Sequence, residues 1–266
     1  MGSSLTDQAD QIAAAFVAAR HARRALDAYP GERPGDLAGA YAIQDRALAL
    51  DGRPVAGWKV GRINPPYEAA LGANRLAGPI FADLVVDAGP GAEPAMPVIA
   101  EGFAAAEAEF MLHVAAGWDG TVPTDDAATR AIVDAVRLGI EIASSPYPGI
   151  NADGPCVTAS DFGNNLGAVL GAPLVEWQAI DLCAVPVRTV INGEVIGAAT
   201  AAAMLDGPYG AVRFLLAHLA GRGIDASRGL WVSTGAVTGV HPVRPGDHVV
   251  AEFGDLGQVA CRITTR

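Results

Sequence analysis

The chain has 266 residues, 51% of them apolar, with 32 Gly, 18 Pro and a formal net charge of −11. That length suits one large domain, or a domain with a helical extension, and the turn-forming residues favour short strands over a helical bundle. The acidic balance argues against a nucleic-acid backbone or an anionic membrane surface as the main partner, but not against a small anion.

In chain order, the first element predicted is a helix over residues 5–26, rich in Ala and unbroken by Gly or Pro, with Arg20, Arg23 and Arg24 toward its end. A second helix is expected from the N-cap residue Asp36 to about residue 49, and the two together read as a cap, residues 1–52, on a catalytic unit, residues 53–266. Residues 1–10 contain acids and no long apolar run, so neither a leader peptide nor a membrane span is expected, and the cytoplasm is the default address. Cys156, Cys183 and Cys261 form no CxxC and read as free thiols.

From residue 55 the character changes to short β-like runs. Residues 55–60 form one and residues 106–115 another, with Ala106, Ala108, Phe110, Leu112 and Val114 on one face and Glu107, Glu109, Met111 and His113 on the other. A helix is expected over residues 124–137, followed by a strand over 138–143. Asn192-Gly193, after the run 187–191, is the strongest hairpin signal in the chain. An amphipathic helix over 208–220 follows, then strands over 230–234, 248–253 and 258–264. The predicted class is α+β, with an antiparallel-rich sheet core and peripheral helices.

Glu107 and Glu109 carry the sharpest chemistry. Positions i and i+2 of a strand share a face, so both carboxylates enter one small volume and repel unless a cation or a proton intervenes. The alternative is a solvated strand face. Glu141 stands inside the apolar run Gly139-Ile140-Glu141-Ile142-Ala143, and three carboxylates without a His or Cys set suit a hard ion such as Mg²⁺ or Mn²⁺. His113 is either a fourth ligand or a structural histidine. Lys59, in Gly57-Trp58-Lys59-Val60-Gly61, presents its ammonium to an anionic ligand or stands at the surface. The run Thr234-Gly235-Ala236-Val237-Thr238 offers N–H groups and hydroxyls to a carboxylate, or is a plain turn.

These residues resemble, over nearly the whole length, the 2-keto-4-pentenoate hydratase branch of the fumarylacetoacetate hydrolase superfamily. The resemblance is carried by Ala40-Tyr41-Ala42-Ile43-Gln44, the run from Gly57 to Gly61, Glu107-Ala108-Glu109, Glu141, Ser160-Asp161 and the Asn192-Gly193 hairpin, with the Pro245-Gly246-Asp247 turn closing the set. It implies a mixed β-roll with an N-terminal helical cap, a homo-oligomer, and Mg²⁺ or Mn²⁺ held by Glu107, Glu109 and Glu141. It also implies Lys59 as the active-site lysine. Asp161 matches an acid that acts near the metal, or it caps a turn.

The implied reaction is hydration of a small 2-oxo-alkenoate, with decarboxylation of a 2-oxo-enedioate or C–C hydrolysis of an acylpyruvate as alternatives. A metal-dependent binding subunit is the non-enzymatic reading. Hydrolysis calls for a His–Glu pair, for which His21 is the candidate. Two departures stand out: Leu76-Ala77-Gly78-Pro79 lacks an acid found in relatives, and residues 144–160 contain no Lys or Arg. That shortage of cations predicts a monocarboxylate substrate. Arg62 alone stands against it, pointing away from Lys59 on a regular strand but returning to the pocket if the chain bends at Gly61.

Overall fold

A computed structural model of the chain describes residues 5–265, so the part of the N-terminal reading that rests on residues 1–4 lies outside the described residues. The chain opens with helices α1 (Leu5–Ala22) and α2 (Leu37–Asp51). α1 stops short of residue 26 because Arg23 turns left-handed at φ 49°. Asp36 is the expected cap of α2, its carboxylate accepting from the Gly39 amide at 2.7 Å, and Gly52 closes the helix at φ 69°.

Next come β1 (Val55–Arg62), α3 (Tyr67–Leu71), β2 (Arg75–Phe81), β3 (Val85–Asp87), β4 (Ala95–Pro97) and β5 (Phe103–Val114). They are followed by α4 (Asp126–Ile132), β6 (Val133–Ser145), α5 (Pro155–Ser160), β7 (Asn165–Pro173), β8 (Pro186–Ile191) and β9 (Glu194–Thr200). The last elements are α6 (Gly207–Gly221), β10 (Leu230–Ser233), β11 (His241–Pro242), β12 (His248–Phe253) and β13 (Gln258–Thr264). One boundary departs clearly from expectation. The helix predicted to residue 137 ends at Ile132, because the chain from Val133 to Arg137 pairs with β5 and buries Val133 and Val136. Pairing with a buried neighbour outweighs the local helical pattern.

An eight-stranded sheet runs β2-β1-β10-β5-β6-β7-β3, with β11 also paired to β5, and a five-stranded sheet runs β4-β13-β12-β8-β9. The Asn192-Gly193 turn has φ 53° and 84°, both left-handed, as a two-residue hairpin loop requires. The main core lies between the two sheets and α6. It joins Ala108, Phe110 and Leu112 of β5 to Ile140 of β6, Phe253 of β12 and Cys261 of β13. α6 adds Leu215, Leu216 and Leu219, all fully buried, each contributing about 1.5–3 kcal/mol.

The larger sheet curls. Ile80 of β2 packs with Met111 of β5 and with Ala168 and Leu170 of β7, although β2 and β7 stand far apart in strand order. At Gly78 of β2 a Cβ atom would lie 2.0 Å from the carbonyl oxygen of Phe162, so only glycine permits that closure. α1 and α2 share a smaller core with Phe81, Tyr147, Ile150, Val157 and Phe162, which seats them against the loop leading into β7. Among the described residues no helix is long and apolar enough to cross a membrane. Cys156, Cys183 and Cys261 are free, as expected.

Candidate metal and substrate site

The face of β5 that carries Ala106, Ala108, Phe110, Leu112 and Val114 is buried in the main core, but the glutamate face is buried as well. Glu107 stands directly opposite Glu141 across the β5–β6 pair, and Glu109, two residues along, faces Gly139. Glu107 is 4% exposed and the other two are fully buried, so the solvated-face reading does not hold. Each of the three offers one carboxylate oxygen, and these oxygens lie within 4.8 Å of one another.

The neighbours orient these three groups, and Lys59 is a single cation set against them. Glu109 Oε2 accepts from the Ser233 hydroxyl and, at 2.8 Å, from the Gly235 amide. Glu141 Oε1 accepts from Asn165 Nδ2 at 2.9 Å, while its Oε2 lies 3.2 Å from Lys59 Nζ. Glu109 Oε1 is buried and accepts no hydrogen bond, and Glu141 Oε2 has only the Lys59 ammonium beside it. Burial pushes the Glu107 carboxyl up to about 7 against the pull of Lys59, and burial with the charges of Glu141 and Glu107 lifts Glu109 well above the carboxylate range. Buried, mutually repelling carboxylates with one bare oxygen among them are a donor set that a hard divalent cation satisfies. The residues fit such an ion.

Lys59 is 4% exposed and donates to Asn164 Oδ1 at 3.3 Å. Burial disfavours its charge, but Glu141, Glu107 and Glu109 outweigh that and raise its pKa, so the ammonium stays protonated. Lys59 and Glu107 both line a cavity of about 620 Å³, whose wall also includes Arg62, Asn64, Tyr67, Arg75, Asn151, Thr158, Asn164, Thr234 and Gly235. Arg62 therefore lines the pocket at the end of β1, and Arg75 of the neighbouring strand lines it as well, unforeseen. Arg75, Asn164, Asn165 and Ser233 went unread because isolated polar residues in short strands and turns carry no sequence signature of a shared site.

Other expectations fare differently. Thr234 and Gly235 reach the wall, but the Thr234 hydroxyl is donated to the Phe110 carbonyl at 2.8 Å and the Gly235 amide to Glu109, leaving neither for a substrate carboxylate. Thr238 does not line the cavity; its hydroxyl sits 2.7 Å from Thr189 Oγ1 and 3.0 Å from His241 Nε2. His113 stands apart from the carboxylates, bound to Asp134 at 2.6 Å, and His21 pairs with Asp51 at 3.1 Å away from the cavity. Asp83, the acid nearest to the departure in β2, pairs with Arg53.

Asp161 also lies off the cavity wall, fully enclosed. It is bound by Arg20 Nε at 2.5 Å and Nη2 at 2.9 Å, and by the Ser145 hydroxyl at 2.6 Å. Arg20 continues to the carbonyls of Ser144, Asp161 and Asn165. The cation that residues 144–160 lack thus arrives from α1. The signal was present: Arg20 follows the buried Ile12 and Phe16 at four-residue steps, on the inward stripe of the helix.

No family model matches the chain. Its sequence is similar to 4-oxalocrotonate decarboxylase of Pseudomonas putida, 31% identical over 132 residues, which is 50% of each chain. The chain therefore spans about half the length of that relative. It is also similar to 2-keto-4-pentenoate hydratase of Paraburkholderia xenovorans (strain LB400), 27% identical over 237 residues, 88% of this chain and 85% of that one. In fold it matches 4-oxalocrotonate decarboxylase from Pseudomonas putida G7, complexed with magnesium and adipate, at a TM-score of 0.79, with 23% identity and 97% of both chains covered. Fumarylpyruvate hydrolase from Pseudomonas aeruginosa, in complex with Mn²⁺ and pyruvate, matches at a TM-score of 0.55 with 16% identity, over 80% of this chain and 91% of that one. The α+β roll read from the sequence is the fold of these proteins, and the resemblance to the hydratase and decarboxylase branch holds.

Proposed function

We propose that this protein is a metal-dependent lyase acting on a small unsaturated 2-oxo acid, with hydration to a 4-hydroxy-2-oxo acid as its reaction. The observation that carries the reading is the buried triad Glu107, Glu109 and Glu141, with Glu109 Oε1 bare, beside a charged lysine at the wall of a cavity of about 620 Å³. The triad would hold Mg²⁺ or Mn²⁺, which supplies a Lewis acid for the C2 oxygen of the substrate. Lys59 serves as a fixed donor: held charged by the glutamates and oriented by Asn164, it stabilises negative charge on the substrate's carboxylate or enolate oxygen. The apolar residues Val60, Leu76, Met204 and Val237 line the cavity and exclude bulk water from the carbon chain.

A second reading, loss of CO₂ from a 2-oxo-enedioate, is favoured by one feature of the wall. Among the described residues no His or Asp lines the cavity and Glu107 is its only carboxylate, so a dedicated base for activating water is absent. Decarboxylation needs only an electron sink at C2. C–C hydrolysis lacks the His–Glu pair it calls for, since His21 is engaged elsewhere. Mass spectrometry of products from a panel of 2-oxo acids with Mg²⁺ or Mn²⁺ separates the readings: a gain of water supports the first, a loss of CO₂ the second. Absence of turnover across the panel, with Mn²⁺ bound, overturns the lyase reading. Assembly as a homo-oligomer belongs to the same proposal and is tested by light scattering.

A further inference from the structure

We propose that Asn164 and Asn151 are positioning residues for Lys59, two amides in series that hold its ammonium from the loop side of the cavity and admit only one polarity. The inference rests on the lyase reading for what Lys59 does to a substrate, and on geometry for how the lysine is held.

Lys59 is the only lysine in the chain; the rest of its 18 Lys and Arg residues are arginine. A Cβ at Gly163 would lie 3.1 Å from Lys59 Cδ, so the loop passes against the lysine stem with no side chain between. The ammonium has two contacts, Glu141 Oε2 at 3.2 Å and Asn164 Oδ1 at 3.3 Å. An ion held by the triad would draw on the same Glu141 oxygen, which leaves Asn164 as the partner that the lysine need not share.

Polarity follows from donor chemistry. An ammonium donates and cannot accept, so the Asn164 atom facing it is the carbonyl oxygen Oδ1. The other end of that amide, Nδ2, donates to Asn151 Oδ1 at 2.9 Å. Turning either amide over would set one donor against another. The Thr158 hydroxyl lies 3.4 Å from the same Asn151 oxygen and donates to the Ile150 carbonyl at 2.9 Å. Asn151 Nδ2 is left without a partner among the described residues, on an exposed residue of the cavity wall. An oxygen acceptor bound there can take it without reversing either amide, so ligand and lysine draw on the same two groups in the same sense.

The backbone is held in an unusual form to achieve this. Phe162, Gly163 and Asn164 are left-handed in succession, at φ 54°, 61° and 59°. Such conformations persist in residues other than glycine only where the surroundings fix them, and they gather at functional sites. Here Phe162 is fully buried, its ring 5.1 Å from that of Phe81, and Asn164 is 3% exposed. The loop that carries Asn151 is pinned in turn by Asp153, paired with Arg33 at 2.6 Å.

A single lysine makes the test specific. Full-length protein labelled with ¹⁵N-lysine gives one side-chain ammonium signal, whose proton exchange measures how firmly Lys59 is held. Asn164→Gly keeps the left-handed backbone and deletes the amide, so exchange is expected to quicken about 10–100-fold, the weight of one hydrogen bond to a charged group. Asn151→Leu, one step removed, is expected to quicken it about 3–10-fold, and Asn151→Asp, which keeps the acceptor for Asn164, to recover most of that loss. Asn151 is exposed, so its variants answer the question even where Asn164→Gly misfolds. An ammonium too fast to detect in the unmodified protein, exchange unaltered in Asn151→Leu, or Asn151→Asp as fast as Asn151→Leu overturns the relay. Values of kcat/KM for 2-oxo acids should fall in the same order as the exchange rates rise. A relay intact in a protein that turns over no 2-oxo acid stands while the lyase reading falls.

Discussion

Replacing Arg20 by Met tests whether the N-terminal helix completes the site or merely covers it. The Arg20 and Asp161 side chains are 2% and 0% exposed, so the substitution strands an enclosed carboxylate with the Ser145 hydroxyl as its remaining side-chain partner. It also withdraws donors from the carbonyls of Ser144, Asp161 and Asn165. Removing one partner of a buried ion pair costs about 3–5 kcal/mol. With a urea m-value of about 3 kcal/mol/M, that lowers the unfolding midpoint by about 1–1.7 M. The consequence extends to the site, because the segment anchored by Arg20 carries Asn164 and Asn165, the partners of Lys59 and Glu141. Urea melts of Arg20→Met, Asp161→Asn and the double variant, paired with Mn²⁺ titrations of the folded proteins, measure both effects. The double variant should lose less than the sum of the single losses, since the charges are removed together. A loss below about 1 kcal/mol in Arg20→Met, or strict additivity, would refute the reasoning.

Two further outcomes follow from the triad. Glu107 titrates at about 7 in the folded protein against an ordinary 4.5, so the metal-free fold holds protons that the unfolded chain releases. That contribution, about 3 kcal/mol, is complete below pH 4.5 and is lost as pH rises through about 7. Melting temperatures of metal-free protein should therefore fall between these pH values, and Mg²⁺ or Mn²⁺ should restore them at pH 8; a flat profile contradicts the coupling. Lys59→Met should lower kcat/KM about 10²–10³-fold, as for loss of one oriented donor, while Mn²⁺ still binds; unchanged kinetics rule out the role.

Much of the site was legible because strand periodicity speaks directly to side-chain direction. Glu107 and Glu109 had to share a face, and an acid within the apolar run of Glu141 needed a partner. Alternation alone did not say that both faces of β5 are buried, since that depends on the sheet curling until β2 meets β7. β2 itself escaped reading because Gly78-Pro79 interrupts it, although the glycine is there for the approach of Phe162. Arg75 was hidden with β2, and the charge census of the pocket was wrong for that reason. Asp161 matches by position an acid that acts near the metal in the resembled family, with a turn cap as the other reading. Its actual partner, Arg20, is 141 residues away in the chain, a distance across which local pattern carries no information.

The direct opposition of Glu107 and Glu141 would give a divalent ion bound there a part in choosing how the central strands pair. Slipping β6 by one residue along β5 would turn Glu141 to the apolar side, opposite Ala106 or Ala108, and bring Ile140 or Ile142 opposite Glu107. A one-residue slip in either direction separates the two carboxylates, so an ion held by both would favour the native alignment over those two. Without the ion the same alignment sets two like charges face to face, and the chain must find it through the hydrophobic pattern alone. An ion held by Glu107 and Glu141 during folding would thus select among strand alignments as well as stabilise the finished protein.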